Sequence, residues 1–432
     1  CRALVMGLGH FGGGVGAARY LAQRGAKVTV TDLADESRLA GALIALADVP
    51  IHSLHLGGHR EEDFRQADLI VVNPAVHPDH PLLAVAIRNG ARLTTELELF
   101  LSNCRAPMVG VTGSNGKSTT AAMIAAIFQA DGQRTWLGGN IGRSLLEGLD
   151  TLSADDRVVL EISSFQLHYL VPGARVPQAA VVTNCVPNHL NWHPDWAHYK
   201  ASKQKLLTWQ TAADAAVLNT LDPEVSTWCP CVQGRLLPML PLDEIPPLRV
   251  PGEHNRVNAA CAGAAALAAG CSTRAVSEGL ARFAGLSQRL EMIATIAGRR
   301  FYNDSSATTP ESTVAALKAL PGPLWLLAGG TDKGADYREM LAAIASRARG
   351  VAFFGAVGRR LLEQAAELAP NVASTAVPTL AQALEWVWQN SAAGDAVVLS
   401  PGCASLDQFI NYRHRGETFV GLVQALAACG RE

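Results

Sequence analysis

Short apolar runs alternate with helical patterns along almost the whole chain. This alternation is typical of parallel sheets that helices cover on both faces. The pattern predicts strands at residues 3–8, 27–32, 68–73, 107–112, 157–162, 178–184, 214–219, 299–303, 323–328, 350–354 and 395–400. It predicts helices at residues 14–24, 118–131, 335–347 and 379–389. The predicted fold class is therefore α/β.

The predicted elements group into three domains in series. The first group indicates an N-terminal Rossmann-like domain over residues 1–103. The second indicates a central parallel sheet of the P-loop ATPase type over residues 104–287, and the third a C-terminal Rossmann-like domain over residues 288–432. A proline-rich segment, residues 229–251, interrupts the central domain and is expected to be loop or edge structure.

Composition narrows the class of protein. The chain has 432 residues, which is long for one core and agrees with several domains. With 36 basic and 38 acidic residues the net charge is −2, which argues against nucleic-acid binding. The most apolar stretch, residues 259–270, is well short of the roughly 20 residues that cross a bilayer, so we expect no membrane insertion.

The expected compartment is the cytoplasm. The chain starts on a glycine-rich turn and lacks a charged segment followed by an apolar one, so no signal peptide is predicted. Nine cysteines without CxxC spacing fit reduced thiols. We expect a cytoplasmic monomer.

The strongest chemical signal is a glycine-rich loop between a predicted strand and a predicted helix. It spans residues 110–119 and reads GVTGSNGKST. Backbone N–H groups in such a loop close around phosphates, Lys117 can reach the terminal phosphates, and the Ser118 hydroxyl can hold Mg²⁺. The residues expected to bind ATP here are Gly113, Ser114, Asn115, Gly116, Lys117, Ser118 and Thr119.

A carboxylate at the end of a neighbouring strand would give the metal a second anchor. Glu161 ends the strand predicted at residues 157–162, and polar residues follow it. His189 follows another strand and could bind a metal, although a lone histidine there is also an ordinary loop residue. Lys203 stands beside other lysines, which is equally typical of a solvated helix face.

The first glycine cluster, residues 7–12, has the GxGxxG pattern after a strand, and Asp32 ends the second strand. Alone, this pattern predicts a dinucleotide site. Any nucleotide diphosphate can use the same turn, so two functions stay open: a nicotinamide-dependent oxidoreductase, and an enzyme that hydrolyses one nucleotide while another serves as a handle on the substrate.

Taken together, these motifs resemble the Mur ligase family over essentially the whole chain. The matching pieces, in family order, are residues 110–119, 139–142, 161–166, His189, 199–203, 251–255 with Asn258, and Arg289. Later motifs at residues 303–308, 329–333 and 400–409 resemble the members that add glutamate.

The resemblance implies an ATP- and Mg²⁺-dependent acid–amino-acid ligase of peptidoglycan synthesis. Its substrates would be UDP-N-acetylmuramoyl-L-alanine and D-glutamate, joined through an acyl phosphate. Lys117, His189 and Lys203 would be catalytic. Ser118 and Glu161 would hold one Mg²⁺, while His189 and a carbamylated Lys203 would organise a second.

The resemblance also distributes the binding residues. The UDP-linked substrate would contact Gly9, His10, Phe11, Asp32, Asn140, Ser163 and Gln166. The base and ribose of ATP would contact Asn255, Asn258, Arg289 and Asp304. The amino acid would contact Thr308, Lys333, Ser405 and Tyr412.

Four positions depart from the family pattern. Asn188 and Asn191 replace acidic residues around His189, Gln288 replaces a histidine before Arg289, and Ser306 replaces a lysine that can contact the substrate. Two alternatives therefore stay open: the same chemistry with L-glutamate or another amino acid, and a nucleotide-binding homologue with impaired catalysis.

Overall fold

The computed structural model describes residues 1–9, 12–142, 144–332 and 334–429. By their contacts these residues form two compact units. The first comprises Cys1–Pro247 and Val257–Arg282, and the second comprises Leu248–Arg256 and Phe283–Glu432. The first unit contains two sheets and the second contains one, so the architecture is α/β, as predicted.

The first sheet has five parallel strands in the order β3-β2-β1-β4-β5. Its strands are β1 (Arg2–Met6), β2 (Lys27–Asp32), β3 (Ser53–Leu56), β4 (Leu69–Val72) and β5 (Arg92–Thr94). Its helices are α1 (Gly13–Gln23), α2 (Glu36–Ala45), α3 (Glu61–Gln66), α4 (Pro81–Arg88) and α5 (Glu96–Asn103). The central strands are apolar and buried, which is why they were predictable.

The second sheet has six parallel strands in the order β11-β10-β9-β6-β8-β7. Its strands are β6 (Met108–Thr112), β7 (Thr135–Gly139), β8 (Arg157–Glu161), β9 (Ala179–Val182), β10 (Ala215–Leu218) and β11 (Arg235–Leu237). The helices are α6 (Lys117–Ala130), α7 (Ser164–Tyr169), α8 (Trp196–Thr208), α9 (Glu253–Ala268) and α10 (Thr273–Arg282), with 3₁₀ turns at Leu146–Thr151, Val225–Cys231 and Leu242–Glu244. The proline-rich segment supplies only the edge strand β11 and two of these turns, as predicted.

The third sheet has six strands in the order β12-β13-β17-β14-β15-β16, with only the edge strand β12 antiparallel. Its strands are β12 (Glu291–Ile296), β13 (Arg299–Asn303), β14 (Leu324–Gly329), β15 (Ala348–Phe354), β16 (Ala373–Val377) and β17 (Ala396–Leu399). Its helices are α11 (Pro310–Ala319), α12 (Arg338–Arg347), α13 (Gly358–Leu368), α14 (Leu380–Asn390) and α15 (Tyr412–Cys429).

The helix predicted at 335–347 starts later in the structure. Asp336 accepts the backbone N–H of Arg338 at 3.0 Å, and Tyr337 stands at the N-cap of α12. Because this local carboxylate satisfies an N–H that would otherwise lack a partner, the helix begins at Arg338. The apolar pattern alone does not reveal that turn.

One hydrophobic core runs from the first sheet into the second. It contains Val15 of α1 and Phe100 of α5 together with Leu145 and Leu146, which precede and begin the first 3₁₀ turn. The first and second sheets therefore belong to one packed unit, and the elements that join them are α1, α5 and the 3₁₀ turn Leu146–Thr151.

Candidate active site

The phosphate loop, residues 113–116, joins β6 to α6, between strand and helix as the sequence predicts. Two of its glycines are required by space and by backbone angle. Gly113 has φ +148°, and a Cβ there would lie 2.0 Å from Thr183 Oγ1. Gly116 has φ +81°, and a Cβ there would lie 2.6 Å from Asn258 Oδ1. The chain therefore turns tightly into the N-terminus of α6, and such a turn suits phosphate.

The two residues between these glycines are held by the side chains of Asn184, which was not predicted, and of Tyr199, which begins the segment 199–203. Asn184 accepts the N–H of Asn115 at 2.8 Å and donates to its carbonyl oxygen at 2.9 Å. The hydroxyls of Ser114 and Tyr199 share a hydrogen bond of 2.8 Å. The loop is thus fixed from β9 and α8, by residues that no local pattern distinguishes.

Lys117, Ser118 and Thr119 form the first turn of α6. The ammonium of Lys117 donates to the carbonyl oxygens of Gly113 and Ser114 at 3.0 and 2.8 Å, so it lies over the loop. Ser118 is buried, whereas Thr119 is partly exposed.

Glu161 brings together residues from three parts of the second sheet. Its carboxylate accepts hydrogen bonds from Ser118 Oγ at 2.5 Å and from Asn140 Nδ2 at 2.8 Å. A Cβ at Gly139 would lie 2.2 Å from the carbonyl oxygen of Glu161, so the strand before Asn140 approaches β8 very closely. Ser118, which is predicted to act on the ATP side, and Asn140, which is predicted to contact the UDP-linked substrate, therefore both bind the Glu161 carboxylate.

Ser163 and Gln166 form a capping box at the start of α7. Ser163 Oγ accepts the N–H of Gln166 at 3.2 Å, and Gln166 Oε1 accepts the N–H of Ser163 at 3.0 Å. These side chains fix where α7 begins, immediately after Glu161.

The donor atoms around Glu161 suit magnesium. Mg²⁺ prefers oxygen ligands and usually takes one or two protein groups together with phosphate oxygens and water. Ser118 Oγ and the Glu161 carboxylate provide such oxygens beside the phosphate loop. In the described part of the chain no group of three or more His, Cys, Asp or Glu side chains is arranged to hold a metal.

Lys203 is buried, with 1% of its surface exposed, so the solvated-face interpretation is wrong. Its ammonium donates to the carbonyl oxygen of Gly113 at 2.8 Å and lies 4.6 Å from the ring centroid of Tyr199. Burial, with a further contribution from the Lys117 charge, holds the pKa of Lys203 well below its usual value. The structure thus places this amine under the phosphate loop in an environment that favours its neutral form.

His189 lies on the surface and has φ +57°. Its ring packs edge-on against Phe165 of α7, with 4.8 Å between the ring centroids. The backbone N–H of His189 donates to Asn188 Oδ1 at 2.8 Å. Asn191 is exposed in the same turn. His189 is therefore close to the start of α7, which follows Glu161.

A buried histidine near this turn was not predicted. His193 Nε2 is 2.9 Å from Ser164 Oγ, and His193 Nδ1 is 2.8 Å from His198 Nδ1. Burial, with the neighbouring His198 and His168, lowers the pKa of His193 to about 3. His193 therefore packs as a neutral side chain.

The first glycine loop is braced by Asp32 and Asn73. Asp32 Oδ2 accepts the N–H of Leu8 at 2.8 Å, and a Cβ at Gly9 would lie 2.7 Å from Asn73 Nδ2. Gly9 has φ +68°, which also favours glycine. The predicted residues His10 and Phe11 lie outside the described residues.

The four residues predicted to bind the base and ribose of ATP divide between the two units. Asn258 is buried against Gly116 in the first unit. In the second unit Asn255 donates to the Pro251 carbonyl oxygen at 2.7 Å, and Arg289 is exposed.

Asp304 completes this predicted set, in the second unit. It accepts hydrogen bonds from Leu290 N at 3.1 Å and Ser400 Oγ at 2.7 Å. Burial raises the pKa of Asp304 to about 7, against the opposing effect of these hydrogen bonds.

Arg415, which was not predicted, ties together the segments that carry the predicted amino-acid site. Its buried guanidinium donates to the carbonyl oxygens of Cys403 and Ser305, at 3.0 and 2.9 Å. Ser305 Oγ in turn donates to the carbonyl oxygen of Tyr412 at 2.8 Å. The segments around Ser305, Cys403 and Tyr412 therefore converge on one side chain.

The predicted amino-acid residues lie on or next to these segments. Ser405 is buried, whereas Thr308 and Tyr412 are partly exposed. Lys333 lies outside the described residues. The departure at Ser306 lies beside that at Gln288, because the N–H of Ser306 donates to the Gln288 carbonyl oxygen at 3.1 Å.

Comparison with known families gives matches along most of the chain. A model described as "Mur ligase MurD-like, N-terminal domain" matches residues 1–95, the Mur ligase middle domain matches residues 111–235, and "Mur ligase, glutamate ligase domain" matches residues 288–403.

Curated relatives match over nearly their full length. A UDP-N-acetylmuramoylalanine–D-glutamate ligase of Symbiobacterium thermophilum is 35% identical, covering 99% of this chain and 98% of the relative. The protein of the same name from Geobacter metallireducens is 36% identical, covering 98% and 97%.

Solved structures share the fold. The UDP-N-acetylmuramate-alanine ligase of Thermotoga maritima has a TM-score of 0.64 and 16% identity, covering 98% of this chain and 99% of that one. FolC of E. coli, in complex with DHPP and ADP, has a TM-score of 0.55 and 21% identity, covering 76% and 92%. None of the helices in the described part of the chain is long and apolar enough to span a membrane.

Proposed function

The chain belongs to the Mur ligase family of ATP-dependent amino-acid ligases, and we propose that it joins D-glutamate to the alanine carboxylate of UDP-N-acetylmuramoyl-L-alanine. The names of relatives that are 35% identical along the whole chain support this pair of substrates. The domain at residues 1–103 would bind the UDP end of the substrate, and the domain at residues 104–287 would bind ATP. The domain at residues 288–432 would bind the amino acid. We place the reaction in the cytoplasm, where ATP and UDP-linked sugars are made.

The meeting of Ser118 and Asn140 at Glu161 carries the proposal. Ser118 belongs to the helix that would receive the ATP phosphates, and Asn140 belongs to the predicted path of the muramoyl-alanine. An enzyme that transfers a phosphoryl group from ATP to a carboxylate needs both reactants at one place. Glu161 provides that place in the first unit.

The proposed reaction has two steps. A carboxylate is a poor electrophile, so the alanine carboxylate first attacks the γ-phosphorus of ATP, releasing ADP and forming an acyl phosphate. The neutral amine of glutamate then attacks the acyl carbon. The carbon–oxygen bond to phosphate breaks and the amine loses a proton, which leaves an amide and inorganic phosphate. Lys117 would stabilise charge on the transferring phosphoryl group.

Mg²⁺ would neutralise phosphate charge during the transfer. Ser118 and Glu161 would hold one ion, and His189 with a carbamylated Lys203 would hold a second. Carbamylation requires a neutral amine, and the lowered pKa of Lys203 makes that form more accessible. The product would be an anion, which suits a cation better than an ammonium does.

The uridine diphosphate of one substrate and the glutamate would bind away from the phosphate loop. The loop at Gly9, with Asp32, would bind the uridine diphosphate, together with His10 and Phe11. Thr308, Ser405 and Tyr412, with Lys333, would receive glutamate, and Lys333 would pair with a carboxylate.

The direct test is the full reaction with D-glutamate, L-glutamate and other amino acids, run separately with ATP, Mg²⁺ and the UDP-linked substrate. We expect phosphate release and a ligated product with D-glutamate alone. A response to L-glutamate and not to D-glutamate would reject the stereochemistry and preserve the ligase. ATP binding without phosphate release under any condition would favour the impaired homologue.

Calorimetry separates the ligase from the oxidoreductase interpretation of the first glycine loop. We expect ATP–Mg²⁺ to bind and NAD(H) not to. Tight NAD(H) binding without ATP binding would overturn the proposal.

A further inference from the structure

A short hydrogen bond joins the first and second sheets beside the first glycine loop. Ser144 Oγ donates to Glu96 Oε1 at 2.6 Å. Glu96 is the first residue of α5, and Ser144 lies just before the 3₁₀ turn Leu146–Thr151. At 2.6 Å this is a short hydrogen bond, even for a hydroxyl donor and an oxygen acceptor, so it fixes the relative position of the two side chains closely.

The Glu96 end of this bond lies next to the helix that follows the glycine loop. A Cβ at Gly13, the first residue of α1, would lie 4.0 Å from Glu96 Cγ. One turn further along α1, a Cβ at Gly16 would lie 2.4 Å from Ser144 Oγ. Glu96 and Ser144 therefore pack directly against α1, and at Gly16 there is no room for a side chain between the helix and Ser144.

The Ser144 end leads to the reacting end of the site. Ser144 follows Asn140 by four residues, and the next residue, Leu145, packs on the strand before Asn140, because a Cβ at Gly138 would lie 2.4 Å from Leu145 Cγ. Asn140 in turn donates to Glu161. A continuous set of contacts thus connects the start of α1 with the carboxylate at the phosphate loop.

We propose that Glu96 and Ser144 are a positioning pair that sets the spacing between the site for the nucleotide end of the substrate, at the first glycine loop, and the site for its reacting end, beside Asn140. This inference rests on the proposed function. A substrate that spans both sites can occupy both at once only if the spacing is correct, so a change in the spacing weakens its binding. A fragment that occupies only the reacting end does not depend on the spacing.

The test compares the full UDP-linked substrate with muramoyl-L-alanine that lacks the uridine diphosphate. For Ser144→Ala and Glu96→Ala we expect KM for the full substrate to rise about tenfold, equivalent to about 1.4 kcal/mol. The KM values for ATP and glutamate should not change, and kcat/KM for the fragment should equal that of the unmodified protein. Glu96→Gln keeps an acceptor oxygen and should restore most of the affinity.

Asp150→Asn is the matched control, because the Arg24–Asp150 ion pair also joins α1 to the 3₁₀ turn but lies exposed. It should leave all three KM values unchanged. Equal losses with the full substrate and the fragment in the alanine variants would overturn the inference, as would an unchanged KM for the full substrate. Failure of the unmodified protein to ligate the full substrate would instead overturn the proposed function, and this inference with it.

Discussion

The ammonium of Lys203 lies 2.8 Å from the carbonyl oxygen of Gly113 while almost all of its side chain is buried. Burying a charged amine is costly, and this effect outweighs the opposing influence of the Glu161 charge, so the pKa of Lys203 falls. The lowered pKa favours the form of the amine that the proposed carbamylation requires, because only a neutral amine reacts with CO₂.

Lys203→Ala should therefore reduce ligation by at least about 100-fold, comparable to the loss of one hydrogen-bond donor that stabilises a transition state. Addition of a small carboxylate such as formate should restore part of the activity, because the missing group is proposed to be anionic. Lys200→Ala is the control: Lys200 is on the same helix but pairs with Glu224. Full activity of Lys203→Ala without any additive would remove Lys203 from the mechanism.

Lys117→Ala should abolish ligation and leave the melting temperature nearly unchanged. Lys117 is partly exposed in the first turn of α6, and its ammonium donates to carbonyl oxygens of the loop. Its loss therefore removes little buried surface but takes away a charge aimed at phosphate. Phosphate release and thermal unfolding, measured on the same preparation, separate the two effects. Turnover near that of the unmodified protein would contradict the phosphate-loop assignment.

Glu161→Gln should raise the Mg²⁺ concentration needed for half-maximal activity. The amide can still accept a hydrogen bond from Ser118, but it lacks the charge that a divalent cation prefers. The measurement is a Mg²⁺ titration of phosphate release at saturating ATP. Glu224→Gln, which changes a carboxylate bound to Trp228 and Lys200, should leave the titration unchanged. An identical Mg²⁺ requirement in Glu161→Gln would argue against the metal role.

Much of the fold could be predicted because the central strands are short apolar runs buried on both faces, such as β9 and β10. Six strands described in the structure were missed, and each lies at an edge of its sheet: β3, β5, β7, β11, β12 and β16. These edge strands are less buried than the central ones, and β5 and β11 have only three residues each. Their identity as strands comes from pairing with a neighbour, which the local sequence does not encode.

In the candidate site, too, residues within a local motif could be predicted, and residues placed by tertiary packing could not. Lys117, Ser118 and Glu161 could be placed because a strand–loop–helix motif fixes where its side chains go. The burial of Lys203 and Arg415 could not be predicted, because each stands among other basic residues and only tertiary packing selects which one is enclosed. Glu96 was missed for a related reason: its partner, Ser144, is 48 residues away.

Glu96→Gln should stabilise the protein at alkaline pH and not at acidic pH. Burial raises the pKa of Glu96 from 4.5 to about 7, although the Ser144 hydrogen bond opposes the shift. Between these pH values the folded protein keeps a proton that the unfolded chain has lost, so the free energy of unfolding falls as pH rises through this window. Above about pH 7 this decrease in the free energy of unfolding is complete. Glutamine is neutral throughout, so the difference in melting temperature between Glu96→Gln and the unmodified protein should grow from pH 4.5 to pH 7 and then level off.

Glu278→Gln is the contrast, because the hydrogen bond from Arg274 lowers the pKa of Glu278, and that variant should gain nothing as pH rises. A Glu96→Gln difference that stays constant from pH 4.5 to pH 8 would show that Glu96 is not held protonated by the fold.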